Sequence, residues 1–407
     1  MNSEKIYSIL LHTVVGDALG TPLDGLSKGH IASVLKEING YVDPLPALKD
    51  KTERWKKPGL YSYISQFIIL FSMVSLSGHF SVKRYMEAAA FSPEFSGTGL
   101  GIFRYPESMV KIFIQNCFAG NMNVPVTALP SQSLPLLVLH LGLFSESRAQ
   151  VILNSCELAK HISPDLTSIA GAALYAAFIW DFMSQKINSL SDLLHAAGES
   201  AAESVSFFKN EPAAVFAIGL NPDSLVQAAA LYAEAFTGAE SRILDILNLR
   251  LKTPVSRLTV PHPLALMPYA MRLSGINGGD LFKIAQEGGS TAVLTALAGS
   301  FIALTRSADE LPAALVDALV NRKRLLSVIE SISNRSAPER LISEFMDSEL
   351  SLTAKAFEEL KAKNKNKKPE KKTKTWNTKQ PHAVEAWTKL DKARWKKEKR
   401  KLDGKNQ

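Results

Sequence analysis

Apolar residues recur along most of the chain at the three- to four-residue spacing of helices that bury one face. Near the N-terminus, Ile6, Leu10 and Val14 follow one another at intervals of four. Ser3 is in position to cap this helix, and Gly20 with the following proline ends it. The pattern therefore predicts a first helix that runs up to Gly20.

The same spacing predicts a series of further helices, and strand-like alternation of useful length is absent. These predicted helices cover 62–77, 81–91, 105–118, 133–144, 147–161, 166–184, 190–209, 223–237, 262–273, 280–287, 290–305, 311–318 and 322–333. The predicted fold class is all-α. We assign 1–340 to one compact many-helix domain, 341–360 to a connecting helix or linker, and 361–407 to a tail.

Composition narrows the class of protein further. Hydrophobic residues make up 46% of the 407 residues, which is enough for a sizeable core. The longest apolar stretches span about 13 residues, short of the roughly 20 that a membrane-spanning helix needs. The N-terminus lacks the features of a signal peptide, and the two cysteines have no CxxC partner. We therefore expect a cytoplasmic protein without a transmembrane segment.

Positive charge is concentrated at the C-terminus. Residues 361–407 contain 18 Lys and Arg against 5 Asp and Glu, while the rest of the chain is mildly acidic. This composition predicts a mostly disordered tail that ends in a short basic amphipathic helix. Its candidate anion- or nucleic-acid-binding residues are Lys367, Lys368, Lys371, Lys372, Trp376, Trp387, Arg394, Trp395, Lys396 and Lys397.

Lysines interleaved with tryptophans are typical of contact with a phosphate backbone and with stacked bases. The tail is therefore predicted to bind nucleic acid or another polyanion. An anionic membrane surface and an acidic protein are alternative partners. A tail that serves only to keep the protein in solution is a further alternative.

Four stretches carry local signals that occur in a particular order. They are "GDALGTPLDG" (16–25), "PGLYSYISQF" (58–67), "KHISPDLTSIAGAA" (160–173) and "GGSTAVLTALAGSF" (288–301). Together with the flanking helical segments, their order and spacing resemble those of the ADP-ribosylglycohydrolase family over roughly residues 4–335. The resemblance implies a compact all-α domain whose cleft, in active members, holds two magnesium ions and an ADP-ribose unit. Those members hydrolyse the bond between ADP-ribose and a protein side chain.

The family's metal-binding aspartates lie in T-D-D-T and G-G-D-T-D-T motifs. The first motif falls on Ser62 to Ser65 of this chain, and the second falls on 288–293, where Ser290 and Ala292 replace its aspartates. Mg²⁺ requires oxygen ligands, and protein sites for it usually include carboxylates. We therefore expect neither magnesium nor another cofactor. An alternative register that places Asp280 in the second motif is rejected, because it displaces the small-residue helix, and Asp280 is predicted to cap a helix instead.

Two functional hypotheses follow from this comparison. In the first, the protein is a non-catalytic family member that acts as a binding or scaffold protein, with a cleft for a nucleotide-like small molecule unless Tyr63 closes it. In the second, a rearranged site still releases ADP-ribose from modified proteins, with Asp17 and Asp24 as candidate acids. The residues predicted to line the cleft are Ser62, Tyr63, Ser65, Gly288, Gly289, Ser290 and Thr291.

Overall fold

The computed structural model describes residues 2–49, 51–90, 100–183, 190–237, 263–276 and 278–365. The chain divides into a unit of Lys363–Gln407 and a larger compact unit, Met1–Ala362, whose last helix continues to Lys365. Its α-helices are α1 Ser3–Gly20, α2 Lys28–His30, α3 Leu45–Leu48, α4 Tyr63–Leu76, α5 Val82–Ala89, α6 Ser108–Phe118, α7 Leu134–Leu137, α8 Leu139–Phe144, α9 Arg148–Ile162, α10 Leu166–Met183, α11 Leu190–Asn210, α12 Pro212–Ala217, α13 Pro222–Thr237, α14 Pro263–Ile276, α15 Leu281–Ala285, α16 Thr291–Ile302, α17 Ala313–Asp317, α18 Arg322–Ser333 and α19 Glu339–Lys365.

The all-α prediction is confirmed, since the described residues contain helices and a single isolated β-bridge but no strand. The predicted N-cap of the first helix is wrong. Asn2, not Ser3, caps α1, because its side chain accepts a hydrogen bond from the Glu4 backbone N–H at 2.9 Å and Ser3 is already helical. The predicted cap of α15 is correct, since Asp280 accepts from the backbone N–H of Phe282 at 2.9 Å.

Helix α10 occupies the centre of the helical assembly. It packs against α7, α8, α9, α11 and α13, and its alanine-rich sequence is buried along nearly its whole length. Small side chains at such contacts allow neighbouring helices to approach closely. Two segments, Ser3–Leu23 and Leu166–Met183, have the length and hydropathy of a membrane span, and the fold buries most of each.

Helices α1 and α16 approach one another until their backbones touch. A Cβ atom on Gly16 would lie 2.2 Å from the carbonyl oxygen of Thr295, and one on Gly20 would lie 2.3 Å from that of Thr291. From the other side, a Cβ on Gly299 would lie 2.3 Å from the His12 carbonyl oxygen. The Thr295 hydroxyl also donates to the Gly16 carbonyl at 2.6 Å. Only glycine can occupy these positions without moving one helix.

Helix α19 is held to the domain by a buried ion pair. The Arg104 guanidinium donates to Glu349 at 2.6 Å, and neither side chain is exposed to solvent. Tyr61 and Gln66 also donate to the Glu349 carboxylate, and Arg104 donates to the Thr353 hydroxyl at 3.1 Å. Because every charged atom has a partner, the cost of burying the pair is offset.

The segment 341–360 is predicted from the sequence as a connecting helix or linker. In the structure it belongs to α19, and Phe345, Met346, Glu349 and Ala356 are buried on one face of that helix. The lysine- and tryptophan-containing residues 366–407, with their predicted basic helix, lie outside the described residues.

Replacing Gly16 by alanine should destabilise the fold by at least about 2 kcal/mol, because the added methyl group overlaps backbone that cannot move independently. Urea unfolding measures this effect. Gly29→Ala is the matched control, since a Cβ at Gly29 meets no atom within 4 Å, and its effect should stay within about 0.5 kcal/mol. Equal stability of the two variants would contradict the proposed backbone contact.

Candidate ligand cleft

Asp17 joins the end of α1 to the beginning of α4. Its carboxylate accepts from the backbone N–H and hydroxyl of Ser62 at 2.9 and 2.7 Å, and from those of Ser65 at 3.1 and 2.6 Å. The Thr21 hydroxyl donates a fifth hydrogen bond at 2.9 Å. Burial raises the pKa of the Asp17 carboxyl, and the hydrogen bonds from Ser65, Ser62 and Thr21 oppose that rise. Asp17 therefore fixes the N-terminus of α4 from inside the protein.

The glycine pair before α16 forms backbone hydrogen bonds with the loop at residues 25–26. Gly25 donates to the carbonyl oxygen of Gly289, and Gly289 donates to that of Leu26, each at 2.7 Å. Gly288 and Gly289 have φ angles of 72° and 76°, which favour glycine. A Cβ on Gly288 would lie 2.5 Å from the Leu26 carbonyl oxygen. The pair therefore brings the loop that contains Asp24 against the N-terminus of α16.

A cleft of about 510 Å³ lies where these segments meet. Its lining residues come from the Asp24 loop, the connection before α4, the start of α4, the start of α6, the segment before α7 and the start of α16. They are Asp24, Lys56, Ser62, Tyr63, Ile64, Tyr105, Pro106, Glu107, Ser108, Met109, Leu129, Pro130, Gln132, Ser290, Ala292 and Val293. Tyr63 is a wall of this cleft, and open space remains beside it.

An ion pair lies on one side of the cleft. The Lys56 ammonium is 3.0 Å from the Asp24 carboxylate, and it sits 5.4 Å from the centre of the Tyr105 ring. Only 16% of the Lys56 side chain is exposed, against 34% for Asp24. Tyr105 has a φ angle of 57°, which is rare for an aromatic residue. The aromatic ring and the carboxylate together hold the ammonium at the cleft wall.

A second carboxylate, Glu107, lies at the beginning of α6. It accepts from the hydroxyls of Ser131 and Ser133, and from the backbone N–H of Gln132 at 3.3 Å. Burial raises the pKa of the Glu107 carboxyl against these hydrogen bonds. Burial raises the pKa of the Tyr63 hydroxyl, and the charge of Glu107 raises it further. Glu107 thus ties the start of α6 to the segment before α7.

The structure distributes the predicted cleft residues over two roles. Ser62, Tyr63 and Ser290 line the cleft. Ser65 lies below it, and its hydroxyl donates a hydrogen bond to the Asp17 carboxylate. The remaining predicted residues, Gly288, Gly289 and Thr291, form the backbone turn and the first residue of α16. Among the predicted acids, Asp24 lines the cleft, whereas Asp17 is fully buried beneath it.

Sequence reasoning missed Lys56 and Glu107. Lys56 lies in a lysine- and proline-rich connection that carries no recognisable motif. Glu107 falls in the first turn of the helix predicted at 105–118, whereas the structure places it at the N-cap of α6. Acidic residues are common at helix starts, so neither position signals a cleft. Over the residues that the structure describes, no group of three or more His, Cys, Asp and Glu side chains is arranged to hold a metal ion.

The chain is similar to known proteins both in sequence and in structure. Residues 2–342 match the model of the ADP-ribosylglycohydrolase family. A solved structure titled "ADP-ribosylglycohydrolase-related protein complex" superposes with a TM-score of 0.55 at 14% identity, covering 82% of this chain and 98% of that one. At this identity the likeness concerns the fold. None of the curated proteins searched matches the chain.

Asp17→Ala should destabilise the protein by about 3 kcal/mol or more, because the buried donors of Ser62 and Ser65 lose their acceptor. The midpoint of urea unfolding measures the loss. Glu87→Ala removes one partner of an exposed ion pair with Lys83 and should cost less than about 1 kcal/mol. An Asp17→Ala protein that keeps wild-type stability would contradict the structural role of this carboxylate.

Proposed function

We propose that this chain, which belongs to the ADP-ribosylglycohydrolase family, works as a binding protein whose cleft holds a nucleotide-like small molecule without magnesium-dependent hydrolysis. The observation that carries the proposal is the set of side chains on the cleft. Tyr63, Ile64, Ser290 and Ala292 lie on it, at the positions where the family motifs have aspartates.

The donor set does not suit two magnesium ions. Such a site needs several anionic oxygen ligands to offset about four positive charges. Asp24 and Glu107 are the carboxylates among the cleft's described lining residues. Asp24 is paired with the Lys56 ammonium, and Glu107 is held by serine hydroxyls. Both carboxylates therefore already have partners. The positive charge of Lys56 at the same cleft would also repel a metal ion.

The cleft keeps features that suit a small ligand. Its volume of about 510 Å³ falls within the range of roughly 300–1,000 Å³ found for small-molecule sites. The Ser290 side chain forms no cap at the start of α16, so it does not satisfy the first N–H groups of that helix. Backbone donors and an aromatic wall are therefore combined in one open space.

Calorimetry with ADP-ribose tests the binding proposal. We expect binding that has the same affinity in excess Mg²⁺ and in EDTA. We also expect no release of ADP-ribose from modified arginine or serine peptides above the enzyme-free blank. Micromolar binding that requires Mg²⁺, or turnover by well-folded protein, would overturn the proposal. Absence of binding would favour a scaffold role instead.

The alternative is a hydrolase with a rearranged site. Of its two candidate acids, Asp17 has its carboxylate engaged by five hydrogen bonds, and Asp24 is paired with Lys56. A general acid or base needs to reach the reacting group. The turnover assay above separates this alternative from the binding proposal.

The C-terminal tail supports a separate proposal, which rests on its sequence. With 18 Lys and Arg among residues 361–407 and three tryptophans between them, we propose that it binds single-stranded nucleic acid. This proposal concerns residues outside those that the structure describes, apart from the end of α19.

Gel-shift titration of a single-stranded oligonucleotide tests the tail. Affinity of the full chain should fall at least about tenfold between 50 and 200 mM salt. The reason is that binding of the tail releases cations from the phosphates, and this release becomes less favourable as the salt concentration rises. Deletion of 366–407 spares α19 and should abolish the shift. Replacing Trp376, Trp387 and Trp395 by alanine keeps the positive charge of the tail, so the affinity of this variant reports on base stacking. Unchanged binding after the deletion would refute the proposal.

A further inference from the structure

We propose that the Lys56 ammonium is the resident cation of the cleft and binds a phosphate or pyrophosphate group of the ligand without a metal ion. This inference rests on the proposed binding function and names the chemistry of its ligand. Among the described residues that line the cleft, Lys56 is the only basic side chain. Most of its side chain is buried, so its ammonium is fixed at the wall and not free in solvent.

The Asp24 contact leaves the ammonium able to bind a second anion. An ammonium carries three N–H donors, and the hydrogen bond to Asp24 at 3.0 Å uses one of them. Asp24 is also the more exposed partner of the pair. An incoming phosphate therefore competes with, or joins, a carboxylate that water already reaches. Removing the charge of Asp24 should accordingly strengthen the binding of an anion.

The other carboxylate at the cleft does not compete for Lys56. Glu107 accepts hydrogen bonds from Ser131, Gln132 and Ser133, and burial raises the pKa of its carboxyl. Its oxygens are thus directed into the protein toward these donors. Lys56 therefore remains the cationic side chain, among the described lining residues, with which an anionic ligand can pair.

The N-terminus of helix α16 adds positive potential to the same cleft. Helix α16 begins beside Ser290, and the Ser290 side chain does not cap it. Helix N-termini attract anions through free N–H groups and the helix dipole. The starts of α6 and α4 differ, because the carboxylates of Glu107 and Asp17 lie there. Lys56 and the start of α16 together suit a phosphate-bearing molecule of nucleotide size.

Two sources offer this chemistry, a nucleoside diphosphate and free inorganic pyrophosphate. Calorimetry in EDTA with ADP, adenosine and pyrophosphate distinguishes them. For wild-type protein we expect ADP to bind at least about tenfold more tightly than adenosine, because a hydrogen bond to a charged group contributes on that scale. Pyrophosphate that binds as tightly as ADP would identify the free anion as the ligand, and weaker binding would identify the nucleotide.

Four variants test the role of the lysine. Lys56→Met should lower ADP affinity at least about tenfold and leave adenosine binding unchanged. Lys56→Arg keeps the charge and should retain most of the affinity, and Asp24→Asn should raise it severalfold. The matched control is Lys57→Met, since Lys57 pairs with Glu359 and does not line the cleft. Thermal melts confirm that each variant is folded.

The outcomes separate this inference from the function on which it rests. Equal binding of ADP to wild type and folded Lys56→Met would overturn the inference, while metal-free ADP-ribose binding would leave the binding proposal standing. Weaker ADP binding by Asp24→Asn would also contradict it. ADP binding by wild type that appears only with Mg²⁺ would overturn both.

Discussion

The direct backbone contact between α1 and α16 is the constraint on which the rest of the domain depends. Glycines on both helices allow it, and no side chain larger than hydrogen fits at Gly16, Gly20 or Gly299 without displacing a helix. The contact brings residue 17 of the first helix and residue 290 of the second, far apart in sequence, into one region. The position of the cleft is a consequence of this packing.

Two polar networks then fix the elements that surround the cleft. Asp17 collects five hydrogen bonds and holds the start of α4. On the other side, the buried pair of Arg104 and Glu349 holds α19, and the Arg104 carbonyl accepts from the Tyr63 backbone N–H at 2.9 Å. Both networks connect at the first turn of α4. Buried polar groups require their partners. These two networks therefore hold the wall of the cleft in place.

These networks give a structural role to several residues of the motif stretches 16–25 and 288–301. The glycines of "GDALG" serve helix packing, and its aspartate serves the start of α4. The glycine pair at 288–289 serves a backbone turn. Each of these functions is structural and needs no ligand. Tyr63 and Ala292, in contrast, line the cleft.

The sequence by itself determined the all-α class, the limits of most helices, the cap at Asp280 and the family. These follow from short-range periodicity and motif order, which depend on residues near one another in the chain. Only the tertiary structure decided that Glu349 completes a buried ion pair with Arg104, 245 residues away, and that Lys56 and Glu107 lie on the cleft. A lysine in a connecting loop carries no local signal of its partner. Its role depends on which distant groups the helix packing brings beside it, and that information is absent from any local pattern.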